Sequence, residues 1–174
     1  DVLAPRIAQV FPDKFPGDGA DKAVDARASL ATLLQESSYL STMESDAALA
    51  GRPPEVAAAS SALSANADSL AAAFGLVLGA GSAAQFSTVW AGRTAALSAY
   101  AATGGAQAQQ SLDSTMSQFA ALVRIDPGPV RDQDTTLLKV IDDQRAKAAS
   151  SVAGDDRAAA SAMQPIADAI SVQG

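Results

Sequence analysis

The chain has 174 residues and a mass of 17.4 kDa, about the size of one domain, and 48% of its residues are hydrophobic while only 5% are aromatic. It contains no histidine and no cysteine, which excludes imidazole and thiolate nucleophiles, zinc fingers, iron–sulfur clusters and disulfides. Its formal net charge of -7 disfavours binding to nucleic acid or to anionic lipid.

Turn signals divide the chain into segments of helical length, because glycine and proline clusters separate long stretches with few β-branched residues. We predict a short N-terminal helix over residues 1–15, followed by three helical hairpins over residues 21–79, 82–124 and 129–173. Gly51, Gly104 and Gly154 are predicted to mark the three hairpin turns. The expected fold class is therefore an all-α, antiparallel helical bundle of six main helices, forming a single domain over residues 1–174.

The first and third hairpins have similar sequences. Ala57–Ser60 resembles Ala158–Ser161, and Ala67–Leu70 resembles Ala167–Ile170, which indicates an internal repeat. Chance similarity between alanine-rich helices is the alternative. Pro165 has no equivalent in the first hairpin, and we expect it to kink or loosen the last helix, because proline removes a helical hydrogen bond.

Aspartates lie close to two of the glycine turns. Those around the first glycine-rich loop do not follow the spacing of an EF-hand, and Asp21 is expected to cap the following helix. Asp155 and Asp156, after Gly154, are expected to cap the last helix in the same way. We therefore predict no metal ion and no cofactor from these acidic residues, which are Asp13, Asp18, Asp21, Asp25, Asp155 and Asp156.

Polar side chains interrupt the apolar faces of three helices, if the helical period is 3.6 residues. Arg93 follows Trp90 by one turn, and glutamines lie on the inner face of the fifth main helix. In one interpretation these groups are structural: Arg93 pairs with a carboxylate such as Glu44, while Gln133 and Gln144 form hydrogen bonds across the bundle.

In the other interpretation the inward polar groups line a small pocket in the bundle core. The guanidinium of Arg93 would then hold an anionic group of a ligand. Neither interpretation gives the interior a group that titrates near neutral pH, because histidine is absent. The candidate pocket residues are Ser37, Glu44, Trp90, Arg93 and Gln133.

Five segments of the chain share a pattern with known proteins. They are Val10–Phe15, Leu33–Leu40, Ala47–Arg52, Val89–Trp90 and Val140–Asp142. Together they resemble a helical repeat found in secreted bacterial proteins of unknown function. These proteins are often called hypothetical, or copper amine oxidase-like after an unrelated stalk domain attached to them. The resemblance implies an extracytoplasmic helical bundle without amine oxidase activity.

The chain differs from this family at the positions where the family carries histidines. In the family the bundle interior carries histidines, and the resemblance places them at Ser37, Arg93, Gln133 and Ala158 of this sequence. All four are replaced, so an imidazole-based metal or haem site, which the resemblance implies for the family, is in doubt here.

We expect a non-catalytic module, secreted or in the cell envelope, that acts by binding another protein. The alternative is a carrier of a small molecule, such as a haem-like or anionic ligand, held in the bundle core. The longest apolar stretch, Leu70–Gly81, is too short to cross a bilayer, so we expect no transmembrane segment. The chain opens at Asp1, which fits either a mature protein after signal cleavage or a fragment of a longer one.

Overall fold

The computed structural model describes residue 10 and residues 22–172 of the chain. Over these residues the fold is all-α and contains no strand, which confirms the predicted fold class. The predicted N-terminal helix lies outside the described residues except for Val10, and so do Asp13, Asp18 and the Asp21 cap. The helices are α1 (Lys22–Leu49), α2 (Pro53–Leu78), α3 (Ala80–Thr103), α4 (Ala106–Leu122), α5 (Pro127–Arg145), α6 (Ala149–Ser161) and α7 (Met163–Ser171).

Helices adjacent in sequence pack against each other, and α1 lies at the centre of the arrangement. It contacts α2, α3, α5, α6 and α7. Two of the three predicted hairpin turns are correct, since Gly51 and Gly104 adopt positive φ angles of 65° and 62° between the paired helices. Glycine suits this left-handed conformation because it has no Cβ to clash with the backbone.

The predicted turn at Gly154 is wrong, because Gly154 lies inside α6. The chain reverses instead at Lys147, whose φ is +56°, and the amide of Ala148 donates to the carbonyl of Asp143 to close the end of α5. The caps expected at Asp155 and Asp156 are also wrong: Asp155 pairs with Lys139, and Asp156 accepts a hydrogen bond from Thr42.

The expected interruption near Pro165 is confirmed. The sixth main helix is divided into α6 and α7 at Ala162, and Pro165 lies in the first turn of α7. Proline has no amide hydrogen, so the hydrogen bond that would continue α6 through this turn cannot form. Two helices also begin at other residues than predicted, since α3 begins at Ala80 and α5 begins at Pro127. Asp126 precedes α5 and caps it, because its carboxylate accepts a hydrogen bond from the amide of Gly128.

The aromatic part of the apolar core lies where α2, α3 and α4 meet. Here four aromatic rings form a cluster, in which the Phe74 and Phe86 centroids lie 4.1 Å apart and Phe119 packs edge-on against both. Trp90 stacks on Phe86 with a centroid separation of 5.2 Å. We call these four residues the aromatic cluster.

Among the described residues, α2 is the one helix long and apolar enough to cross a membrane when judged by length and composition alone. A helix of a soluble bundle can meet the same criterion. Its most apolar 18-residue stretch has a mean hydropathy of 1.3, yet only 28% of that stretch is buried in the fold. The expectation of no transmembrane segment therefore stays a prediction, and α2 has an extensive exposed side.

Candidate functional site

Arg93 lies at the centre of the polar residues in the core, on α3. Only 1% of its surface is exposed, and its guanidinium carbon lies 4.8 Å from the centroid of the Trp90 ring. Its Nη2 donates to Oε1 of Gln133 at 2.9 Å, and Nε2 of Gln133 donates in turn to Oγ of Ser38 at 3.2 Å. These bonds join α3, α5 and α1 through buried side chains, so three of the five predicted pocket residues, Trp90, Arg93 and Gln133, are in contact.

The carboxylate that faces Arg93 is Asp134 on α5, and the expected pairing with Glu44 is wrong. Nε of Arg93 lies 3.9 Å from Oδ1 of Asp134, and both residues are buried. This distance is too long for a hydrogen bond, and neither atom has another hydrogen-bond partner in the part of the chain that the structure describes. The pair is therefore held by charge, without the directional bonds that usually compensate for buried charge.

Burial changes the acid–base properties of this pair. It raises the pKa of Asp134 from 3.8 to about 7, against the opposing effect of the Arg93 charge and with a further increase from Asp113. Burial lowers the pKa of Arg93, and Asp134 partly restores it. The interior therefore contains a carboxyl group that titrates near neutral pH, contrary to the expectation drawn from the absence of histidine.

A small cavity adjoins the carboxyl of Asp134. Its volume is about 20 Å³, which is room for one water molecule, and Asp113, Ser117 and Arg131 contribute to its polar lining. This is too small for the predicted anionic ligand. The guanidinium of Arg93, with Trp90 and Gln133 against it, itself occupies the interior that such a ligand would need.

Ser37 is fully buried, and its hydroxyl donates to the carbonyl of Leu34 in its own helix. It belongs to a row of buried hydroxyl residues along α1 that donate to carbonyls within α1. Gln144 joins this row to α5, because its Nε2 donates to the carbonyl of Thr42 and its Oε1 accepts from Ser45. The predicted hydrogen bonds of both glutamines across the bundle are thus confirmed. The row is Ser37, Ser41, Thr42 and Ser45.

Glu44 on α1 is half-buried. Its carboxylate accepts hydrogen bonds from residues that are not hydrogen-bonded to Arg93. Its Oε1 accepts from Ser60 on α2, and its Oε2 accepts from Ser98 on α3 at 3.0 Å. A second cavity, of about 60 Å³, lies beside it. Its lining residues come from these three helices and are Ser41, Glu44, Ser45, Ala48, Val56, Leu97, Ser98 and Ala101.

The sequence interpretation missed Asp134, although its helical spacing indicates that it is buried. It follows Val130 by four residues and precedes Leu137 and Ile141 by three and seven, so it lies on the buried stripe of α5. Of the four positions where the resemblance places histidines, Ser37, Arg93 and Gln133 are buried, whereas Ala158 is exposed. Among the described residues, no group of three or more acidic side chains is arranged to hold a metal ion.

Comparison with known proteins gives no relative of this chain: no family model matches it, and no curated protein or solved structure matches it either. The resemblance to the secreted bacterial repeat therefore stays a prediction. Any functional inference has to come from the contacts and surfaces of the molecule.

Proposed function

We propose that this chain is a non-catalytic helical-bundle module, secreted or in the cell envelope, that binds another protein through the outward face of α2. The extracytoplasmic location is supported by the resemblance of the sequence, and the non-catalytic role by the absence of histidine and cysteine. The observation that carries the proposal is the exposure of this face, whose residues are Ala57, Ser61, Ala65, Asp68, Ala72 and Leu76. We call them the α2 face.

The α2 face has the geometry of a helix-packing surface. Its residues follow one another at steps of three or four, which keeps them on one side of α2. Leu76, near the C-terminal end, is 83% exposed, and the alanines before it are small enough for a second helix to approach closely. Leu63, Leu70 and Phe74, on the opposite side, hold α2 in the bundle.

The charge of α2 indicates what kind of partner fits. The helix contains Glu55 and Asp68 but no lysine or arginine, and the whole chain carries a net charge of -7. A partner helix with small apolar residues flanked by lysine or arginine complements this surface. A second copy of the chain fits less well, because two α2 helices paired antiparallel would bring two Asp68 carboxylates close together.

The alternative function, a carrier of a haem-like or anionic ligand, has less support. It requires the positive charge of Arg93 to be available, but Asp134, Gln133 and the Trp90 ring already surround it. Its side chain is 1% exposed, so a ligand would have to displace core residues to reach it.

The test uses two synthetic helical probe peptides with the same alanine–leucine stripe, one flanked by lysines and the other by glutamates. Fluorescence anisotropy should show saturable binding of the lysine peptide to the protein and no binding of the glutamate peptide. Ala65→Lys, in the middle of the α2 face, should weaken binding of the lysine peptide by about tenfold or more, because it adds bulk and like charge.

The matched control is Ala99→Lys, which replaces another exposed alanine, on α3. This variant changes the net charge by the same amount but leaves the α2 face intact, so it should bind the lysine peptide almost as the unmodified protein does. Equal weakening by the two substitutions would show that only net charge matters, and equal binding of the two peptides would also contradict the proposal.

A further inference from the structure

The cavity beside Glu44 lies where α1, α2 and α3 meet, and no residue of the α2 face lines it. Its walls are partly apolar, since Ala48, Val56, Leu97 and Ala101 contribute to them. Its polar lining consists of one carboxylate and three hydroxyls, those of Ser41, Ser45 and Ser98. Of these, Ser41 and Ser45 are buried residues, 5% and 4% exposed, so their hydroxyl groups are part of the interior.

The hydroxyl hydrogens of the lining serines are already used. Ser41 donates to the carbonyl of Ser37, Ser45 donates to Gln144 or to the carbonyl of Thr42, and Ser98 donates to Glu44 or to the carbonyl of Thr94. A serine hydroxyl has one hydrogen but two acceptor lone pairs. The side-chain polar groups that line the cavity therefore offer acceptors, and a ligand there has to bring the donors.

The charge of Glu44 points to the same kind of ligand. Among the described side chains, no lysine or arginine forms an ion pair with Glu44, and none lines the cavity. A partly buried carboxylate is stabilised when a cation or hydrogen-bond donors replace the water that it has lost. Glu44 has two serine donors, which satisfy part of its acceptor capacity and none of its charge.

The volume limits the size of the ligand. The cavity's volume of about 60 Å³ is three times that of the cavity beside Asp134, which has room for one water, and is well below the cavity of about 150 Å³ that holds benzene. We propose that this cavity binds a small primary ammonium ion of the size of methylammonium, with its N–H groups donating to Glu44 and the serine oxygens and its methyl group against Val56 and Leu97. The proposal involves different residues from the α2 face and does not depend on the proposed function.

Methyl NMR on the full chain tests this with methylammonium chloride as the probe, and with sodium chloride and tetramethylammonium chloride at the same ionic strength. Methylammonium should shift the methyl resonances of Val56 and Leu97 in a saturable way. Binding in the millimolar range or weaker is expected, because two non-hydrogen atoms can supply little binding free energy. Tetramethylammonium, which is too large and has no N–H donor, should give no more change than sodium.

Three variants locate the binding. Glu44→Gln should reduce the affinity for methylammonium by about tenfold or more, because it removes the charge with almost no change in shape. Ala101→Val, which keeps Glu44 and fills the cavity, should also reduce it. Glu36→Gln is the matched control on the same helix, where the carboxylate accepts from Asn66 and does not line the cavity, and it should bind normally.

Thermal melts establish that each variant is folded before it is titrated. If Glu44→Gln does not fold, Ala101→Val and Glu36→Gln still distinguish the cavity from the rest of α1. Equal shifts with methylammonium and sodium would mean that the cavity holds water only, and unchanged affinity in a folded Glu44→Gln or Ala101→Val variant would place the binding elsewhere. Either result would overturn the proposal.

Discussion

Two neighbouring regions of the core, one turn apart on α3, are held together by different forces. The aromatic cluster ends at Trp90 and is stabilised by ring contacts and by burial of apolar surface. Three residues later Arg93 begins the polar region. Its guanidinium contacts the Trp90 ring, donates to Gln133 and lies 3.9 Å from Asp134, and Gln133 donates in turn to Ser38. We call Ser38, Arg93, Gln133 and Asp134 the polar layer.

The aromatic cluster and the polar layer differ in how the stability of the protein responds when one of their residues is replaced. Ring contacts in the aromatic cluster do not depend on protonation, so the loss of one ring leaves a cavity whose cost is the same at any pH. In the polar layer the loss of one charge leaves the other buried without compensation, and that cost depends on whether Asp134 is ionised. Stability measurements at two pH values therefore separate the two regions.

The largest expected effect lies in the aromatic cluster. Phe119→Ala should lower the free energy of unfolding by about 4 kcal/mol, because it removes a fully buried ring that contacts Phe74, Phe86 and Trp90. Urea unfolding at pH 5 and at pH 8 should give the same loss. A loss that changed strongly with pH would show that the aromatic cluster is coupled to the polar layer. It would contradict the distinction between the two regions.

In the polar layer, Arg93→Met with Asp134 kept should cost about 3 kcal/mol at pH 8, because the buried Asp134 then has to stay ionised without a cation or take up a proton. The cost should be smaller at pH 5, where Asp134 holds a proton and carries no charge. Urea unfolding at both values measures it. The double variant with Asp134→Leu should recover most of the loss at pH 8, whereas equal losses at the two pH values would contradict the pairing.

Much of the fold could be predicted from the sequence because local chemistry determines it. The turns at Gly51 and Gly104 follow from the ease with which glycine adopts positive φ, and the break before Pro165 from the missing amide. The turn at Lys147 was missed because a lysine seldom takes this conformation and nothing in its neighbourhood marks it. Gly154, where a turn was predicted, lies within a helix.

The candidate site could be predicted only in part. The helical period identifies Arg93 and Gln133 as inward residues, since it depends on one helix at a time. It does not tell which helix lies opposite, so Glu44 and Asp134 were both available as partners for Arg93. Packing of α5 against α3 decides in favour of Asp134, and that packing is the sum of many contacts far apart in the chain.

The smallest expected effect is the contribution of Asp134 to the pH response of the unmodified protein, and this contribution reports on the polar layer. In the folded protein the pKa of Asp134 is about 7, above the ordinary value of 3.8 that applies after unfolding. Between these values the folded state binds more protons than the unfolded state, so the free energy of unfolding should fall as pH rises. From pH 5 to pH 7.5 this contribution amounts to about 2.5 kcal/mol, and it levels off above the folded pKa.

Asp134→Asn isolates this contribution from those of the other carboxylates. The amide cannot ionise, so the part of the slope between pH 5 and pH 7.5 that comes from position 134 should vanish, while Arg93 keeps its bond to Gln133. Exposed pairs such as Lys139 and Asp155 are present in both proteins and cancel in the difference between the two urea curves. Parallel curves would mean that Asp134 is ionised throughout this range, in which case the charge of Arg93 outweighs the burial of the carboxyl group.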